Sequence, residues 1–436
     1  MKNQTEHRGV AEYLLASKRC DIRSLEQLLN MGQLVAGISS LVHALQLERG
    51  ASNMYVGSAG ERCADIRLKQ VAIAEEAEEA FRQCLDRMDT DNHGLPAASR
   101  FYSRIAYSIH GLEELRGVRD EIQALKPVPE TIIDGYSELI ESLLAIVFEA
   151  ADSAADPDIS RILVAMFHLM QGKEFAGQER AVGSAGFAQG LFDERFSKRL
   201  RHLIDNQERC FHIFTEFADA EALKQWRAIN SNPYTSELER LRRIAFTSAA
   251  DGKADRELSE AWFALTTERI NAIKALEHAL EQSLSATCRL KIASAREDLN
   301  SHQLHIDELA RQPSAPSFAI FFNGASSPHQ AGTETFVTGC ASPQLGRSLF
   351  DLVQSQSQRL QTMSEELQQA RAALAERKTI EKAKGMIMKY RSVNEEEAYR
   401  FLRQVAMSQN RRLADIAKDT LAMSDLFPIP DPDAKS

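Results

Sequence analysis

The chain has 436 residues, with 62 Asp and Glu against 52 Lys and Arg for a net charge of −10, and is 44% apolar and 26% charged. That is ordinary composition for a soluble protein, with length for two or three domains and a sizeable core. The six cysteines (Cys20, Cys63, Cys84, Cys210, Cys288 and Cys340) show no short spacing, so neither a disulfide framework nor a zinc ribbon is expected.

The N-terminus, MKNQTEHRGVAEYLL, is charged and has no apolar signal core. No apolar run reaches the ~18 residues that span a bilayer, and the richest stretch, LIESLLAIVFEAA, holds two glutamates. The expectation is a cytoplasmic protein with no membrane partner. Helical periodicity then dominates, broken at DTDNHGLPAAS, KPVPET, ADPDIS, NSNPYT and ADGKAD. These breaks cut residues 1–310 into long helical segments with few candidate strands, which predicts an all-α bundle.

Two stretches of that bundle echo each other. LQLERGASNMYVGSAG begins at Leu45 and FAGQERAVGSAG at Phe175, each setting a Glu-Arg pair among small residues and ending in VGSAG. In a helix, Val42, Leu45, Ser52 and Val56 share the side of Arg49, while Ala176, Gly177, Gly183, Ser184 and Phe187 neighbour Arg180. Both arginines are therefore expected to point inward. A buried guanidinium stays charged and needs an anionic partner. Successive helical residues diverge by about 100°, so neither Glu48 nor Glu179 suits the arginine beside it. Two explanations stand side by side: an ion pair that stitches two helices, or a small planar oxyanion, matched to the guanidinium fork, sandwiched between the halves of a pseudo-symmetric bundle. Further on, within LERLRR, Arg242 lies beside Leu238 and Ala245 on an inner face.

Composition changes at residues 311–345, a Pro-, Ser-, Gly- and Thr-rich run read as a linker, whose FAIFF can dock on a neighbouring surface. Residues 346–436 follow as a second domain. Val353, Leu360, Leu367 and Leu374 recur every seven residues, with Met363 and Ala370 between them. This imperfect coiled-coil seam pairs with a second copy in a homodimer or packs on its own domain. Next comes NEEEAYRFLRQVAMSQ, with Asn394 and Glu397 as its cap and Ala398, Phe401, Leu402, Val405 and Ala406 on one face. RRLADIAKDTLAMSDLF carries Leu413, Ile416, Ala417, Thr420 and Leu421 on one side, and Pro428, Pro430 and Pro432 end the helical region.

Charge is polarised along the chain. Residues 371–418 contain 12 Lys and Arg against 6 Asp and Glu, a balance of +6 that leaves −16 elsewhere. A basic end on an acidic body suits a polyanion partner. Lys378, Lys382, Lys384, Lys389 and Arg391 crowd the end of the long helix, with Arg400 and Arg403 on the next. Lysines attract phosphate, while arginine and an aromatic such as Tyr399 can read splayed RNA loop bases. The competing explanation is a solvated charged face on a coiled coil. The charge split also predicts that the acidic part covers the basic tail when no effector is bound.

The C-terminal segment resembles an ANTAR domain, an RNA-binding module of bacterial antitermination regulators, through Ala383-Lys384-Gly385, Met388, Glu397 to Arg403, Ala406, Asn410, Leu413 and Ala417. ERGASNMYVGS and KEFAGQERAVGS, some 130 residues apart, resemble the NIT domain, a helical sensor of nitrate and nitrite. NIT followed by ANTAR looks like the nitrate-responsive antiterminators of bacterial nitrate assimilation. That resemblance implies nitrate or nitrite as effector at Arg49, Arg180 and Arg242. It also implies a leader RNA with paired hairpins as target of Lys378, Lys384, Tyr399, Arg400 and Arg403, bound so that the terminator hairpin cannot form. Lys384 and Arg403 would meet at the helix-turn-helix corner. No Glu-x-x-His precedes any histidine and no nucleophile motif appears, so no catalysis, metal or cofactor is expected. The remaining alternatives are a helical scaffold whose basic coil binds an acidic protein, and a DNA-binding activator.

Overall fold

The computed structural model describes residues 10–88, 98–190, 192–251, 257–311, 343–391, 395–409 and 411–426, together with 255 and 393. Every described element is a helix: α1 (Val10–Gly57), α2 (Ala64–Asp86), α3 (Ala98–Gln123), α4 (Pro129–Ser153), α5 (Pro157–Gln189), α6 (Glu194–Phe217), α7 (Ala220–Asn230), α8 (Pro233–Asp251), α9 (Leu258–Arg311), α10 (Pro343–Arg391), α11 (Glu395–Ser408) and α12 (Leu413–Leu426). The all-α expectation holds. The expected linker at 311–345 and the Asn394 cap fall almost wholly outside the described residues.

The chain divides into two compact units: Met1–Leu29 with Ala286–Glu366, and Asn30–Ser285 with Leu367–Ser436. In the first, Arg296 of α9 donates to Glu26 of α1 at 2.6 Å. The second holds Arg49, Arg180, Arg242 and the helices α11 and α12.

Local chemistry sets the helix ends. Asp156, Asp193 and Asp219 each accept from the backbone N–H three residues on, capping α5, α6 and α7. Pro157 enters α5 at its first turn, where its missing N–H costs nothing, and Gly190 closes the helix at φ 70°. In α1, Leu34, Ile38, Leu41 and Leu45 recur at helical spacing and are wholly buried. Part of α1 has mean hydropathy 1.4 and is long and apolar enough to cross a bilayer by length and composition, where no apolar run of that length was expected. It is uncharged because it lies in the bundle, and 56% of it is buried there.

The small residues of α5 serve packing. Val182, Phe187, Phe192, Leu200, Leu203, Leu238, Leu241, Ala245 and Trp262 form one buried cluster. A Cβ on Gly183 would sit 2.1 Å from the Trp262 ring, so the indole lies where any side chain would be. Trp262 Nε1 donates to the Arg180 carbonyl at 3.2 Å, tying the cluster to the second Glu-Arg motif. At the C-terminal end, Ala383 and Ile387 of α10 meet Ala398, Leu402 and Ala406 of α11 and Ile416 and Ala417 of α12 in a separate core. Leu367 and Leu374, half of the proposed seam, are buried within their own chain, whereas the side chains of Val353 and Leu360 lie outside the described residues.

Gly183→Ala should push Trp262 aside and cost about 1–3 kcal/mol, read as a lowered Tm in thermal unfolding. An unchanged Tm would mean the indole has room to move.

Candidate functional site

The two echoing arginines face each other's helix. A Cβ on Gly177 of α5 would lie 2.8 Å from Arg49 Nη2, and one on Gly50 of α1 would lie 3.2 Å from Arg180 Nη2. Each guanidinium thus occupies space that a glycine on the other helix leaves open.

Their partners differ. Arg49, 2% exposed, donates from Nη1 to Glu174 Oε1 at 2.5 Å and to Ser137 Oγ at 2.7 Å, and from Nη2 to Glu174 Oε2 at 3.3 Å. Gln46 Nε2 and Gln178 Nε2 each donate to the same carboxylate at 2.8 Å. Arg180, 4% exposed, donates to Thr267 Oγ1 at 3.0 Å and loosely to the Gln46 carbonyl, and its guanidinium lies 5.0 Å from the Phe263 ring centroid. Among the described residues no carboxylate forms an ion pair with it. Burial, and then the charge of Arg49, pull its pKa down to about 10, with Glu174 acting in the opposite sense. Of these two buried guanidiniums only Arg49 is paired with a carboxylate, leaving one positive charge for which a monovalent anion is the matching partner.

The glutamates of the motif do other work. Glu48 accepts from Arg119 Nε and Nη2 at 2.8 and 2.9 Å and from the Tyr136 hydroxyl at 2.7 Å. Glu179 accepts from Arg242 Nε and Nη2, both at 2.6 Å, and from Gln207 Nε2 at 2.6 Å. In each half the glutamate binds an arginine of a later helix while its neighbouring arginine points across. For both Arg49 and Arg242 the structure shows the ion pair that stood as one of the two explanations. Arg49 already has an internal carboxylate, Glu174, which stands in KEFAGQER but 125 residues from Arg49 in sequence. Arg242 is held by two carboxylates: Glu179 takes Nε and Nη2, and Glu239 takes Nη1 at 2.6 Å.

A second buried polar network lies beside the first. Lys173, wholly buried, donates to Glu277 at 2.6 Å, and Ser39 joins the same carboxylate at 3.1 Å. Burial, then Lys173, Lys274 and Arg180, hold His43 near a pKa of about 3, so its imidazole is neutral.

A cleft of about 1700 Å³ adjoins the site. Ser137, Glu174 and Gln178 line one side and Arg377, Lys384, Tyr399 and Arg400 the other. The residues expected to hold RNA are mostly engaged. Lys378 donates to Asp152 of α4 at 2.5 Å and lies 5.2 Å from the Phe148 ring centroid. Arg403 pairs with Asp205 of α6. Tyr399 is buried, edge-on to His202, with the Arg209 guanidinium 4.6 Å from its ring centroid. The exposed-stacking role foreseen for Tyr399 is therefore closed in this arrangement. Lys384 is bonded within its own domain, to Glu381 and Glu395, so it and Arg403 are held by different partners. Arg400 stands exposed on the cleft wall. Arg377, 4.8 Å from the Phe167 ring centroid, is a docking contact the sequence reading missed.

Burial also holds His168 near a pKa of about 3, at 1% exposure and with neither ring nitrogen hydrogen-bonded among the described residues. Its folded pKa lies below that of the unfolded chain, so the stability it contributes is complete above the unfolded value of about 6.5 and drains away as pH falls toward 3. His168→Phe should flatten the fall of unfolding free energy across that window by up to about 1.4 kcal/mol per pH unit, measured by denaturant titration at several pH values.

Against known proteins, a family model described as nitrate and nitrite sensing (NIT) matches residues 40–285, and the ANTAR domain model matches residues 368–420. The chain is 31% identical over 422 residues to the nitrate regulatory protein of Klebsiella oxytoca, a match covering 96% of each. It also resembles the solved structure of the NasR transcription antiterminator at 30% identity and TM-score 0.58, covering 96% of this chain and all of that one.

Proposed function

Because the chain belongs to the family of nitrate-responsive antitermination regulators that join a NIT sensor to an ANTAR domain, we propose that it couples a small anion at Arg49 and Arg180 to the RNA-binding surface of its own tail. The observation that carries this reading is that Arg180 is buried beside Arg49 with no carboxylate of its own, Glu174 being bonded to Arg49. Nitrate or nitrite is planar, monovalent and rich in acceptors, which suits the fork of Arg49 and the uncompensated charge of Arg180. Arg242 enters only indirectly, by fixing Glu179. No catalytic step is assigned to any residue, and the protein acts by binding alone.

The tail is the output. Asp152 and Asp205 hold Lys378 and Arg403, and Tyr399 is buried against His202 and Arg209, so RNA loops cannot reach these groups while the contacts persist. We read this as the resting arrangement. An anion that binds better when the contacts are broken shifts the population toward a free tail by its difference in affinity, with a coupling of roughly 1–3 kcal/mol. The freed tail would then grip the hairpins of a leader RNA and keep the terminator from forming. Pairing with a second copy through the N-terminal half of α10 would present two tails to paired hairpins. Such a regulator works in the cytoplasm, where nascent RNA is.

Arg49→Lys keeps the charge but loses the fork, and calorimetric titration should show nitrate affinity falling at least about tenfold, worth ~1.4 kcal/mol, with RNA binding by the tail intact. Arg403→Ala should do the reverse, losing hairpin binding while nitrate still raises Tm. Loss of both properties in either variant would count against two separable sites.

Reversing the docking charges gives an independent check. With Asp152→Lys and Asp205→Lys together, hairpin RNA should bind about tenfold more tightly in the absence of nitrate, since each exposed pair is worth up to ~1 kcal/mol. Fluorescence anisotropy with a labelled hairpin measures this, and unchanged affinity would mean that those pairs do not restrain the tail.

A further inference from the structure

Glu174 is held the way a bound oxyanion is held. Four hydrogen bonds converge on its carboxylate: two from the Arg49 fork at 2.5 and 3.3 Å, one from Gln46 and one from Gln178, both at 2.8 Å. The group is 2% exposed and fully supplied with donors. A planar fork with two side-chain amides is a receptor for any flat oxyanion, and a carboxylate and nitrate present nearly the same edge to it. Glu174 also lines the cleft, with Gln171 and Gln178 on its own helix and Arg377 among the residues across it.

We propose that Glu174 is a built-in competitor for the effector: its carboxylate and the anion contest the same fork and the same two amides, and binding of the anion turns Glu174 out into the cleft. This rests on the reading of Arg49 and Arg180 as the anion site and deepens it. The charge arithmetic favours exchange. With Glu174 seated, two guanidiniums face one carboxylate. With nitrate seated and Glu174 relocated only a side chain's length away, two positive groups are met by two negative ones. Arg49 keeps an anionic partner throughout the exchange, and Arg180, uncompensated while Glu174 is seated, gains one. The competitor sets the threshold, because the effector must exceed the effective concentration of a tethered carboxylate before it wins. It also supplies the link to the tail, since the expelled charge enters the cleft that Arg377 and Lys384 line.

The test uses the full chain, with nitrate affinity measured by calorimetry for wild type, Glu174→Gln and Glu174→Asp. Glu174→Gln removes the charge; Glu174→Asp keeps it but shortens the arm so that it cannot reach Arg49. Both should bind nitrate at least tenfold more tightly than wild type. Equal or weaker binding in both variants overturns the proposal while leaving the anion site itself standing, provided wild type binds. Nitrate binding to none of the three proteins would instead overturn the reading of the site. Should these variants unfold, Glu174→Ala in formate provides the second measurement. Formate should raise its Tm well beyond any rise in wild type, by filling the vacated carboxylate position, and equal rises would sink the idea.

Discussion

Two guanidiniums that cannot lose their charge are buried against one carboxylate, and most of what surrounds them follows from that imbalance. Taking an ion out of water costs several kcal/mol unless something answers its charge. Gly50 and Gly177 give the guanidiniums room, Thr267 and Ser137 satisfy donors, and Phe263 offers Arg180 the negative face of its ring. None of these neutralises the second charge. That uncompensated charge is the physical basis for the anion site proposed above.

The tail obeys the same electrostatics at lower stakes. Its cations reach part-exposed carboxylates of α4 and α6, where solvent weakens each pair, and the aromatic contacts of Arg377 on Phe167 and Lys378 on Phe148 add modest attraction. Several weak contacts suit a surface that must both hold and let go. The anion site needs the opposite, a few strong and well-shielded contacts. The fold supplies both through α4 and α5: Ser137 and Glu174 touch Arg49, while Phe148, Asp152 and Phe167 touch α10.

Much of the architecture was legible in residue patterns. The five marked breaks coincide with gaps between helices, and the apolar faces of α11 and α12 form the expected core. The turns between α1 and α2, α5 and α6, and α6 and α7 were not foreseen, and VGSAG shows why. After Val56 the motif ends a helix, with Ala59 and Gly60 at positive φ; after Val182 the same five residues stay helical because Trp262 and Phe192 pack onto Gly183 and Gly186. Tertiary contact decides between the two outcomes, and local sequence does not contain it. The inward direction of Arg49 and Arg180 was readable from their small neighbours. Glu174 was not assigned to Arg49, since its partner lies on another helix, although Glu174, Gly177 and Gln178 share one face of α5 by spacing alone. Arg242 misled because an inward position beside apolar residues fits an ion pair as well as a ligand contact, and Glu179 was near enough to claim it.

The chain has two tryptophans, and their placement gives the molecule an optical readout of its own. Trp226 is enclosed by Phe211 and Phe214, whereas Trp262 hydrogen-bonds the carbonyl of Arg180 and fills the groove over Gly183. Indole emission is sensitive to nearby charge, and the ANTAR helices contribute no indole at all. Trp262 is consequently a label-free optical reporter at the Arg180 backbone, beside the proposed anion site.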